Sequence, residues 1–93
     1  MNRIEKYNII KEEIDKWDPI GLLKMGAPEN EYSLEITKIS SKIDKFNTYQ
    51  DLGQHIYNIL ITCFGKYTLI PKIDECIKIA QNIIDRINNE NDL

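Results

Sequence analysis

Ninety-three residues, 42% apolar and 29% charged, suffice for one domain with one core, near the lower limit for a chain that folds without staples. A net charge of −3, a pI of about 5.1 and cations interspersed with anions argue against the basic patch that grips a phosphate backbone, so no nucleic-acid partner is expected. The longest uncharged run, Ile56 to Gly65, falls far short of the roughly 20 apolar residues of a membrane span, so no membrane partner is expected either.

The bias toward Ile, Lys and Asn, with no Val at all, follows AT-rich codon usage and carries no functional message. Cys63 and Cys76 match no Cys-x-x-Cys or zinc spacing. The first 17 residues carry acids inside their apolar pattern and do not read as a signal peptide. Together these features predict a cytoplasmic protein with reduced thiols.

Residues 2–17 place Ile4, Tyr7, Ile10, Ile14 and Trp17 at helical spacing, with Glu12 and Lys16 as an i,i+4 pair on the outer face. Residues 30–46 repeat the logic with Tyr32, Ile36, Ile39, Ile43 and Phe46. A third helix over 48–64 carries Tyr49, Leu52, Ile56, Ile59 and Cys63, capped by Thr48 and closed by Gly65. The last, from about Pro71 to Asn88, has the widest apolar face, through Ile73, Cys76, Ile77, Ala80, Ile83, Ile84 and Ile87, and is expected to be the most buried. The links at Asn47 and over 65–70 are short, which favours antiparallel neighbours. The tail NNENDL is expected to fray.

The stretch WDPIGLLKMGAPENEY, residues 17–32, breaks the pattern. Asp18 before Pro19 reads as an N-cap, IGLLKM as one or two helical turns, and Gly26 as their left-handed end. Pro28 and Asn30 then restart the chain, with Glu29 and Glu31 at the positive end of the next helix. Trp17, Asp18, Pro19 and Gly26 form the structural motif.

WDPIG followed by Asn30-Glu31-Tyr32-Ser33 resembles a family of small bacterial helical proteins of unknown function, whose signature is WDPIG and then Asp-Glu-Tyr-Asp. Asn30 and Ser33 stand where that signature has Asp, and both can still cap. The resemblance implies an all-helical fold and a bacterial origin; it implies no activity.

His55, the only histidine, sits at the edge of the third stripe with Asp51 four residues earlier, and no triad pattern surrounds it. Cys63 and Cys76 lie on apolar stripes, the usual setting of a buried free thiol. Trp17 continues the first stripe and is expected in the core. The hydroxyl of Tyr32 is within reach of water or Asp18. Ile9, Leu34, Ile61 and Ile79 fall outside the main stripes; those that stay exposed can form a patch for association.

The expected fold is therefore all-α: one domain over 1–93, a bundle of four main antiparallel helices with a short extra helix between the first and second. The expected function is a small protein-interaction module that binds another protein or its own copy, an immunity or antitoxin-like role being one version, with Ile61 and Ile79 in the contact. The competing reading is an enzyme or metal-binding domain centred on the Trp17–Tyr32 segment, using Asp18, Glu29, Glu31, Tyr32 and His55. No catalytic residue, metal ligand, cofactor or specific small molecule is inferred.

Overall fold

The structure is a computed structural model that describes residues 2–65 and 70–91. Among the described residues four helices carry it, α1 (Arg3–Trp17), α2 (Ser33–Ser41), α3 (Tyr49–Phe64) and α4 (Ile73–Asn91), with a 3₁₀ turn at Ile43–Lys45 after α2. Each packs on its chain neighbours, and α4 closes the ring against α1. The pairs run antiparallel. Tyr49 reaches Asp85 near one end of the α3–α4 contact, and Gly53 lies against Ile77 further along it. Among the described residues no helix is long and apolar enough to cross a membrane.

The helices form where the apolar period says they should. Ile10 and Ile14, Ile36, Ile39 and Ile43, Leu52, Ile56 and Ile59, and Ala80, Ile83 and Ile87 meet in one core. The fully buried phenol of Tyr32 joins them and sets its ring edge-on to Phe64, with centroids 6.3 Å apart. Asn2 caps α1 by accepting from the Glu5 amide, and Thr48 caps α3 by accepting from the Asp51 amide, as its sequence suggests.

Several expectations are corrected. Ile4 is 72% exposed while the off-stripe Ile9 is buried. The face of α1 turns toward α4, where Arg86 donates to Glu13 at 2.9 Å and to Glu12 at 2.6 Å. Glu12 thus pairs across the bundle rather than with Lys16, and the i,i+4 pair on α1 is Lys11–Asp15. The second helix stops at Ser41 rather than Phe46. Hydroxyls of Thr37 and Ser41 bond to the carbonyls of Ser33 and Lys38, the Lys42 backbone leaves the helix, and the chain continues as the 3₁₀ turn. The helix α4 is not the most buried: Ile73, Ile77, Ile79 and Ile84 keep partial exposure, whereas α3 also buries Gly53 and Leu60. A Cβ on Gly53 would lie 2.7 Å from the Ile77 Cα, so this glycine sets how closely α3 and α4 approach. Most of the 65–70 link and the last two residues of the tail lie outside the described residues.

Candidate functional site

The corner between α1 and α2 is built from residues 17–32. Asp18 ends α1 in a left-handed conformation, φ +50°, its amide donating to the Ile14 carbonyl at 2.8 Å. Asp18 is therefore the C-cap of α1 and not the N-cap of a following helix. The residues expected to form a short helix make hydrogen-bonded turns instead, with the Met25 amide shared between the Gly21 and Leu22 carbonyls and the Ala27 amide on Leu22. Gly21 (φ +78°) and Gly26 (φ +93°) supply the positive backbone angles that this path needs, Gly26 as expected.

A carboxylate and a phenol hold the corner shut. The Tyr32 hydroxyl donates to Asp18 Oδ1 at 2.6 Å and accepts from the Ile20 and Leu22 amides at 3.2 and 3.3 Å. The two Asp18 oxygens accept from the Leu23 and Lys24 amides at 3.1 and 3.0 Å. These four amides belong to turns, so no helical carbonyl would otherwise take them.

Burial works against the Asp18 carboxylate, but the Tyr32 hydroxyl and the two amides outweigh it and hold its carboxyl below the usual range. Burial, reinforced by Asp18, pushes the Tyr32 phenol up to about 12. Trp17, Pro19 and Ile20, with Asp15, Asp18, Lys16 and Lys24, line an open cleft of about 540 Å³ beside the clasp. Trp17 is half-buried and packs on the core.

The other expected site residues do not join this clasp. Glu29 and Glu31 are exposed; the Glu29 backbone carbonyl, not its carboxylate, receives Lys11 Nζ at 3.1 Å. Asn30 likewise contributes its carbonyl, to the Ser33 amide and hydroxyl, and no side chain caps α2. Among the described residues no three His, Cys, Asp or Glu side chains gather to hold a metal ion. Ile61 is 43% exposed on α3. Ile79 is half-buried on α4 and packs on the core, one heptad before Arg86, which reaches α1.

The seam between α2 and α3 holds His55 and, on the α2 side, Glu35, which no sequence motif marks. Glu35 is buried beside Ile36 and Ile39, and its Oε2 has no hydrogen-bond partner among the described residues. Burial raises its carboxyl above the usual range. His55 stacks on Phe46, with ring centroids 4.8 Å apart, rather than pairing with Asp51. Its Nε2 is also buried with no partner among the described residues, and burial lowers its imidazole, with the Lys38 carbonyl opposing the effect and Lys42 adding to it. The one available signal for Glu35 was its spacing, three residues after Tyr32 and four before Ile39, on the flank of the core stripe. Cys76 is fully buried and its thiol pushed up to about 11, chiefly by burial. Cys63 is half-buried, 3.9 Å from Lys38 Nζ, and both cysteines are free.

Comparison with the curated proteins gives no match, and neither does comparison with the solved structures. A family model described as Domain of unknown function (DUF1871) matches residues 9–91, which take in the whole clasp and nearly all of the four helices; the chain belongs to that family.

Proposed function

We propose that this domain acts by binding another protein chain, its own copy included, through apolar side chains that its core leaves uncovered. One observation carries the reading. Met25 is 74% exposed, Ile4 72%, Leu34 60% and Ile61 43%, apolar area that docking against another chain would remove from water. The residues with the best sequence claim to chemistry, Asp18 and Tyr32, are meanwhile engaged with each other and with backbone amides. An immunity or antitoxin-like role is one form such binding takes, and two free thiols suit a cytoplasmic setting.

Affinity capture from a source lysate, read against Met25→Glu and Ile61→Lys, tests the reading. The wild-type chain is expected to retain a defined partner or its own copy. At least one variant should lose it while melting at an unchanged temperature. Equal capture by all three chains overturns the reading, as does capture of nothing by a chain that stays monomeric at high concentration.

A further inference from the structure

Two adjoining clefts between the start of α1 and the end of α2 make one open groove. Arg3, Ile4, Tyr7 and Ser40 line a cleft of about 240 Å³, and Arg3, Tyr7 and Ser40 with Thr37 and Ser41 line a second of about 190 Å³. Helical spacing explains the set. Arg3 and Tyr7 are neighbours four apart on α1, and Ser40 and Ser41 follow Thr37 by three and four on α2.

The two sides of the groove differ in kind. Ile4 stands largely in water, and the half-buried Tyr7 packs on the core, so one side is apolar and partly fixed. The polar side offers donors. The hydroxyls of Thr37 and Ser41 are taken up by carbonyls of their own helix. The Arg3 guanidinium and the hydroxyls of Tyr7 and Ser40 make no hydrogen bond among the described residues, and no carboxylate lines either cleft. Lys6, the next cation on α1, is by contrast taken by Asp44.

We propose that this groove docks a partner protein through a segment in which an acidic side chain neighbours an apolar one, the carboxylate on Arg3 and the apolar group against Ile4 and Tyr7. The proposal rests on the protein-binding reading above and gives the partner's chemistry. Charge selects it. The lining carries one ionic group, a cation, on a chain whose net charge is −3, so an acidic segment is attracted here and repelled by the molecule as a whole. A guanidinium only donates, and it takes a carboxylate through two parallel bonds. A basic segment would be repelled by Arg3, and an uncharged one would forgo that charge-assisted pair.

Fluorescence anisotropy of labelled peptides titrated with the full chain tests this. The probe alternates leucine and glutamate. One control replaces every glutamate by glutamine, and another replaces every leucine by serine. The probe should bind saturably and each control at least about tenfold more weakly, since an anchor of an interface is typically worth that much. Arg3→Glu should abolish binding of the probe, and Ile4→Ser should weaken it by at least about tenfold. Both side chains are exposed, and an acid suits the first turn of a helix, so thermal melts should show no loss of fold.

A probe that does not bind saturably overturns the proposal, as does binding that Arg3→Glu leaves unchanged or a control that binds equally well. If the peptides fail while a captured partner is still lost on Met25→Glu or Ile61→Lys, the groove is not the site and the protein-binding reading stands.

Discussion

The corner and the α2–α3 seam handle buried polar groups in opposite ways. In the corner, one carboxylate and one phenol collect four backbone amides and each other. In the seam, Glu35 Oε2 and His55 Nε2 are shut away with no hydrogen-bond partner among the described residues. The contrast reaches the acids themselves. Glu13 is nearly as buried as Glu35 but is met by Arg86. Asp18 and Tyr32, which look functional in sequence, are therefore committed to holding a turn, while Glu29 and Glu31 stay exposed, and of the two groups in unfavourable settings Glu35 looked ordinary and the lone histidine did not. An unusual motif can mark a difficult piece of backbone as readily as a reactive site.

The contrast breaks most sharply at Asp18. Asp18→Ala leaves the Tyr32 hydroxyl and two amides without an acceptor and keeps a side chain in the left-handed backbone without the carboxylate bonds that compensate for it. It should lower stability by about 3 kcal/mol in urea denaturation. Asp18→Gly removes the same oxygens but relieves the backbone, so it should recover about 1 kcal/mol of that loss.

Tyr32 gives the next effect, on the alkaline side. Its folded-state value lies above the unfolded 10, so its contribution is whole below pH 10 and is lost as pH climbs toward about 12. The loss should amount to roughly 2 kcal/mol, and Tyr32→Phe, less stable at neutral pH, should not show it. Asp18 has the mirror behaviour. Its folded value is depressed, so its contribution is present above the ordinary Asp range and disappears as pH falls below it.

In the seam the sign reverses, because there the substitution should help. Glu35→Gln removes an ion that burial disfavours and is expected to stabilise the chain by about 1 kcal/mol at pH 7. The folded-state value of Glu35 is raised, so the wild type should regain stability as pH is lowered toward the ordinary Glu range, and the gap between the two proteins should close. A destabilised Glu35→Gln at neutral pH would show that the carboxylate has a partner and would erase the contrast.

The smallest effect belongs to His55. His55→Phe keeps a ring against Phe46 and gives up one bond to a carbonyl, so it should change stability at pH 7 by under about 1 kcal/mol. Because the folded imidazole is depressed, the wild type should weaken as pH falls below 6.5 and the variant should not.

Local rules carried the sequence reading as far as local rules act. The four helices were legible because Ile10 and Ile14, Ile36 and Ile39, Ile56 and Ile59, and Ala80 and Ile83 repeat at the helical period and that period alone decides which face is buried. Thr48 was legible as a cap because its bond spans three residues. The rest depended on contacts that sequence spacing does not contain. Arg86 reaches Glu12 across 74 residues and so displaces the nearby Lys16, and of the two acceptors expected within reach of the Tyr32 hydroxyl, water and Asp18, only the fold decides that Asp18 takes it. Whether Ile4 or Ile9 is buried turns on where α4 lies against α1. In the candidate site Asp18, Tyr32 and Gly26 were singled out, but Asp18 was placed at the start of a helix because a left-handed aspartate leaves no mark that distinguishes it from an N-cap before proline.

The central claim is that Asp18 and Tyr32 act as one structural unit. A double-mutant cycle on Asp18→Asn and Tyr32→Phe, read by urea denaturation, tests it most directly. Each single variant should lose stability, and the double variant should lose less than their sum by about 1 to 2 kcal/mol, because the second change removes a bond that the first has already broken. Additive losses, or two substitutions that leave stability untouched while abolishing partner binding, would contradict the account and return the carboxylate to the role of a functional group.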